Sequence, residues 1–167
     1  LLGDAGANVL DGGAGADVLI GGAGNDVYVV DAAADTVVEG AGAGTDTVRS
    51  GFSYTLGANL DSLVLTGTAH INATGNALSN VLAGNAGSNR LDGGAGTDAA
   101  SYLYARSGVV VGLDLAGPQS TGAGIDTLVS IENLIGGNFN DVLHGNGGAN
   151  TLSGGNGIDT ASYARAA

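Results

Sequence analysis

Gly12-Gly13-Ala14-Gly15-Ala16-Asp17-Val18-Leu19-Ile20 runs without a break into Gly21-Gly22-Ala23-Gly24-Asn25-Asp26-Val27-Tyr28-Val29. Both read G-G-x-G-x-D-x-U-x, with U large and apolar, and a looser copy, Gly3 to Asp11, stands in front of them. Working outward, the nine-residue unit returns in two further blocks of three, Gly75 to Ser101 and Gly136 to Ser162. A fixed short period means one structural unit stacked on copies of itself. The first six residues of each unit predict a turn, and the x-U-x triplet predicts a strand too short for any helix. The expectation is an all-β solenoid.

Between the blocks lie two longer segments that echo one another. Gly44-Thr45-Asp46-Thr47-Val48 parallels Gly124-Ile125-Asp126-Thr127-Leu128, and Leu60-Asp61-Ser62-Leu63-Val64 parallels Ile131-Glu132-Asn133-Leu134-Ile135. The chain therefore divides into 1–40, the first block and its extension; 41–74; the second block, 75–102; 103–135; and the third block, 136–163, within one continuous solenoid over 1–167. Val109, Val111, Leu113 and Leu115 alternate with Val110, Gly112 and Asp114 and predict one longer strand, with Pro118 to Gly124 a loop after it. The end of the second block, Asp98 to Tyr102, matches the end of the third, Asp159 to Tyr163, so the chain is expected to be a piece of a longer protein.

Composition narrows the chemistry. The 167 residues include 33 Gly, 16 acids and 4 Arg without any Lys, for a formal charge of −12. Fourteen of the acids are Asp, and only Glu39 and Glu132 are Glu. A bias to the shorter carboxylate places the acids in tight turns of fixed reach. Such a chain repels nucleic acid and anionic lipid and attracts multivalent cations. It has no Cys for disulfides and no apolar run long enough to cross a bilayer as a helix.

One nonamer cannot hold itself folded: ordering nine backbones costs far more than its single buried side chain returns. Calcium fits that gap, because it takes six to eight oxygens and mixes carboxylates with backbone carbonyls, which glycine-rich turns leave uncovered. If each nonamer is half a coil, units two apart stack at an 18-residue spacing. Asp17 then meets Asp35 and Asp141 meets Asp159, with mixed pairs Asn8–Asp26, Asn80–Asp98 and Glu132–Asn150. The expected ligands are the side chains of these residues and of Asn89, the asparagines being weaker oxygen donors. The turn carbonyls at Gly12, Gly13, Gly15, Gly21, Gly22, Gly24, Gly93, Gly94, Gly96, Gly136, Gly154, Gly155 and Gly157 complete the set. An Asp in a Gly-rich turn can also simply bond its own backbone, and the periodicity is what favours the ion.

These blocks resemble the RTX family of calcium-binding nonapeptide repeats, and the segments between them look like linkers between RTX arrays. The resemblance implies a parallel β-roll with calcium ions between stacked turns and with Leu10, Leu19, Tyr28, Leu82, Leu91, Leu143 and Leu152 in the inner row. The small Ala100 and Ala161 at that position suggest a tapering or capped end to each block, with Tyr102, Tyr104 and Tyr163 as caps. The resemblance further implies a secreted bacterial protein that leaves by type I export and folds on extracellular calcium, located outside the cell or at its surface. Departures are Asn for Asp at Asn8, Asn80, Asn89 and Asn150, and Leu78 and Phe139 for the glycine at the fourth position, so only four units keep the full G-G-x-G-x-D pattern.

Other chemistry finds little footing. There is no Ser-His-Asp or Cys-His set, no H-E-x-x-H, and no Lys for a phosphate loop at Gly40 to Gly44. His70 and His144 have no ligand-spaced partner and are expected to face solvent. The segment is expected to be non-catalytic, to bind calcium, and neither to bind nucleic acid nor to insert into a membrane; a surface or polysaccharide contact stays open. Two roles share the fold: a calcium-folded module attached to a secreted enzyme, or a structural or adhesive repeat of a surface protein.

Overall fold

The computed structural model describes residues 1–163, and the architecture follows from the half-coil logic of the repeat. Each x-U-x triplet forms a strand of two to four residues and each glycine turn reverses the chain, so the strands of consecutive units fall on opposite faces. Val9–Asp11 therefore pairs in parallel with Val27–Val30, with Leu10 beside Tyr28, and skips Val18–Ile20. That skipped strand pairs with Thr36–Val38 across the roll. Every described strand pairing is parallel save one.

One face is a single sheet of eight strands. In order these are Val9–Asp11, Val27–Val30, Thr47–Ser50, Ser62–Leu65, Val81–Ala83, Ala99–Ser101, Asn133–Ile135 and Leu152–Ser153. The opposite face is divided into three sheets. Val18–Ile20 and Thr36–Val38 form the first. Tyr54–Thr55, Ala73–Thr74, Arg90–Asp92, Ile125–Val129 and Gln119–Ser120 form the second, and Val110–Gly112, Val142–His144 and Thr160–Ser162 the third.

The inner row packs between the faces. Leu10, Leu19, Tyr28, Leu82, Leu91 and Leu143 are buried, joined by Val48, Leu63 and Leu134 from the inter-block segments. Leu152 is half-buried. The inter-block segments thus continue the core, so the roll has one interior.

Three expectations need correction. The alternating run over 109–115 does not make one long strand: Val110–Gly112 is a strand, Val109 and Val111 are buried, and the chain turns at Leu113–Asp114, leaving Leu115 exposed. The stretch 118–124 is not all loop, because Gln119–Ser120 pairs antiparallel with Ile125–Asp126. The Gln119 side chain also bridges to Gly112, accepting from its N–H at 2.8 Å and donating to its carbonyl at 2.9 Å. A side-chain amide there does the work of a strand's peptide group and turns the alternating pattern off early. Finally, Ala100 is no tapered end. It sits fully buried between Leu82 and Leu134, and Tyr102 is buried beside it rather than capping anything.

Candidate metal centre

The turns stack along both edges of the roll, and several of the turn acids point an oxygen at the coil before them. Asp26 Oδ1 accepts the Asn8 N–H, and Asp35 Oδ1 that of Asp17, at 2.8 and 3.1 Å. Asp98 Oδ1 accepts from Asn80 at 2.7 Å and Asp159 Oδ1 from Asp141 at 2.9 Å. All four steps are 18 residues, the spacing that half-coils dictate. For Glu132 and Asn150 the contact runs through the backbone instead: Asn150 Nδ2 donates to the Glu132 carbonyl at 2.8 Å.

The same ladder continues through the inter-block segments at other spacings. Asp46 Oδ1 accepts from Asp26 across 20 residues, Asp61 Oδ2 from Asp46 across 15, Glu132 Oε2 from Asp98 across 34, and Asp126 Oδ1 from Asn89 across 37. These partners were not foreseen. The signal existed at Ala41-Gly42-Ala43-Gly44-Thr45-Asp46 and Thr121-Gly122-Ala123-Gly124-Ile125-Asp126, which keep x-G-x-G-x-D outside the nonamer phase. A second, outer ladder uses the fifth residue. Asn25, Ser79 and Asn140 side-chain oxygens accept N–H groups of Thr45, Thr97 and Ile158 one coil later, and His70 Nδ1 does the same for Ser88.

One place gathers acids closely. Asp26, Glu39 and Asp46 each offer a carboxylate oxygen, and the three oxygens lie within 4.8 Å of one another. Asp26 and Asp46 are 1 % exposed, and Glu39, just past Thr36–Val38, receives the Tyr28 hydroxyl. Gly21 sits against this group, where a Cβ would collide with the Tyr28 hydroxyl, Asp26 Oδ2 and Glu39 Oε2. Oδ2 of Asp26, of Asp46 and of Asp98 is buried without a hydrogen-bond partner. A buried, unpaired carboxylate oxygen is costly unless a cation or proton meets it. Burial, then the neighbouring carboxylates Glu39, Asp26 and Asp61, pushes Asp46 above the ordinary carboxylate value of 3.8. Asp98 is raised by burial with Glu132 and Asp92 beside it, and Asp126 by burial. Oxygen-only donors with excess negative charge suit a hard divalent cation, and calcium above the small, geometrically strict magnesium. The residues present fit calcium.

These shifts set a pH dependence. A carboxyl whose native value is raised binds more protons folded than unfolded, so its stabilising effect is full below about 3.8 and is lost as pH climbs through the raised native value. Asp4 and Asp35 are lowered, by N–H groups of Gly6 and Ala32 first, but both are solvent-facing and count for less. In excess chelator the chain should therefore keep more β-structure at pH 5 than at pH 7, and in saturating calcium the roll should melt lower at pH 5, because protons compete for the ligands. Circular dichroism in chelator and thermal melts in calcium at the two pH values check this; less β-structure at pH 5 in chelator would refute it.

The remaining expectations divide. His70 faces solvent, whereas His144 is half-buried with a buried, unpaired Nδ1. Tyr104 and Tyr163 are exposed. A cavity of about 580 Å³ lies away from the acids, with Arg49, Tyr104 and Arg106 in its wall and no carboxylate, so it is no cation site. No described helix is long and apolar enough to cross a membrane.

A family model described as the RTX calcium-binding nonapeptide repeat matches this chain in four copies, over residues 2–37, 74–99 and 130–161. No curated protein and no solved structure matches it.

Proposed function

The chain belongs to the RTX calcium-binding nonapeptide repeat family, and from that premise we propose that this calcium-binding repeat module folds because it binds the ion. The observation that carries the reading is the set of buried, partnerless oxygens on Asp26, Asp46 and Asp98, aligned along one edge of the roll. Without a cation these acids repel one another, and at −12 the whole chain does so. With calcium at extracellular levels, where modules of this general kind fill at about 10⁻⁴–10⁻³ M, ligand binding supplies the missing folding free energy.

The biological use we propose is a segment that stays unfolded where calcium is scarce, leaves a bacterial cell through type I export, and folds outside. Asp17, Asp26, Asp35, Asp98, Asp141, Asp159 and Glu132 are the proposed side-chain ligands, with Asp46 and Glu39 added from the three-acid cluster. No catalysis is proposed for the segment. The alternative, a structural or adhesive repeat of a surface protein, is favoured by the continuous eight-stranded face, which works as a scaffold whether or not folding is timed by export.

Circular dichroism during a calcium titration, with magnesium as control, tests the central reading. The expected result is a cooperative coil-to-β transition near millimolar calcium and none with magnesium. A spectrum already β-rich in excess chelator would overturn folding on the ion and leave the scaffold reading standing.

A further inference from the structure

The nine turns fall into two structural kinds. In the four that keep G-G-x-G-x-D, the second glycine is left-handed: φ is 69° at Gly13, 100° at Gly22, 90° at Gly94 and 91° at Gly155. That conformation turns its N–H away from the acid four residues on, and the acid keeps an oxygen for something else; in Asp26 and Asp98 that oxygen is buried and unpaired. In the other five the second residue is not left-handed. Its N–H closes onto the sixth side chain: Asp4 to Asn8 at 2.7 Å, Asn76 to Asn80 at 2.7 Å, Asn85 to Asn89 at 2.9 Å, Gly137 to Asp141 Oδ2 at 2.7 Å, and Asn146 to Asn150 at 2.9 Å.

Closing the turn fixes each amide. In Asn80 and Asn89 the oxygen is taken by that N–H, so the nitrogen faces the carbonyls of the coil before. Asn80 Nδ2 donates to Leu60 O at 3.0 Å and Asp61 O at 3.3 Å; Asn76 Nδ2 donates to Gly57 O at 2.7 Å and Leu60 O at 2.8 Å. One coil face along, Asn85 Nδ2 donates to Thr66 O and Ala69 O at 3.1 and 3.0 Å, and Asn89 Nδ2 to Ile71 O at 2.7 Å. Flipping any of the four amides would lose bonds at both ends, which settles which atom points where. Converging carbonyls of this sort otherwise call for a cation; here neutral N–H donors meet them without adding or requiring charge.

We propose that the pairs Asn76/Asn80 and Asn85/Asn89 stand in for calcium ions between the coils, so that residues 54–92 hold their fold without the metal while the open turns on either side require it. The asparagines are then donors to the neighbouring coil, in place of weak oxygen ligands. The inference rests on calcium-driven folding elsewhere in the roll. It makes this middle segment the template on which the ion-dependent coils assemble, since a solenoid grows by pairing a new coil with a formed one.

Amide hydrogen exchange by mass spectrometry on the full chain, in calcium and in excess chelator, decides it. In chelator, peptides covering 73–92 should exchange at least about tenfold more slowly than those covering 12–30, where both turns are open. Equally fast exchange everywhere in chelator, with protection returning in calcium, would overturn the proposal and leave calcium-driven folding intact. Equal protection everywhere, indifferent to calcium, would overturn both. The double variant Asn85→Gly, Asn89→Asp rebuilds the open G-G-x-G-x-D pattern, because Gly87 already holds its fourth position. It should lose the chelator-resistant protection over 73–92 and regain it in calcium; protection that persists in chelator would count against the amides.

Discussion

A chain carrying Asp26→Asn, Glu39→Gln and Asp46→Asn together should bind at least one calcium ion fewer and gain less from the metal. Saturating a site a hundredfold over its dissociation constant stabilises a fold by about 2.7 kcal/mol. For a chain of this size that corresponds to roughly 5–10 °C in melting temperature. The melting temperature in saturating calcium should fall by about that much. In chelator the triple variant should keep more β-structure than the parent, because three carboxylates within 4.8 Å no longer repel. Calorimetric titration gives the stoichiometry, and melts in calcium and circular dichroism in chelator give the two effects. An unchanged calcium response would mean that this cluster is not where the first block meets its ion.

The second large effect belongs to the backbone. Gly24 has φ 112°, and a Cβ there would lie 2.6 Å from the Gly6 carbonyl oxygen and 2.7 Å from its carbon, on the coil before. Gly13 also has positive φ, 69°, but a Cβ there would meet nothing within 4 Å. Gly13→Ala should therefore cost only the left-handed strain, about 1–2 kcal/mol. Gly24→Ala should cost that and a further ~1–3 kcal/mol for forcing two backbones apart. Denaturant unfolding of both variants in saturating calcium compares them. Equal losses would show that coil spacing is not set by the missing side chain.

Legibility in the sequence followed the glycines. Wherever G-G-x-G-x-D recurs in phase, the half-coil rule gives the register, so Val9 beside Val27 and Thr160 beside Val142 follow from counting. It also gives the inner row from Leu10 to Leu143, because strands of three expose only one residue inward. Where the punctuation lapses, coil length becomes a matter of packing, and a nine-residue ruler cannot supply it. The steps of 20 and 15 residues around Asp46, and of 37 and 34 around Asp126 and Glu132, belong to that class.

The three-acid cluster was hidden for a related reason. Glu39 stands 18 residues after Gly21, where the repeat calls for a glycine, so the nonamer pattern gives no acid at that place on the edge. Asparagine at the sixth position was read by its oxygen alone. Its orientation depends on the second residue, four places earlier, and Asn76, Asn85 and Asn146 could have given that away as a pair pattern, N-x-x-x-N. The early end of the 109–115 alternation was beyond reach, because Gln119 closes it from outside the run.

The two faces of the roll are unequal as mechanical objects. One is laced by an unbroken set of hydrogen-bonded strands from Val9 to Ser153, and the other is divided into three lengths, one of which contains an antiparallel hairpin. Bending that stretches the laced face strains a complete ladder, whereas bending the other way opens joints held only by isolated bonds such as those of Gln119 to Gly112. The molecule is thus a spring leaf with a preferred direction of flexure. Tension carried along it is borne by one side, and compliance is gathered at the seams of the other.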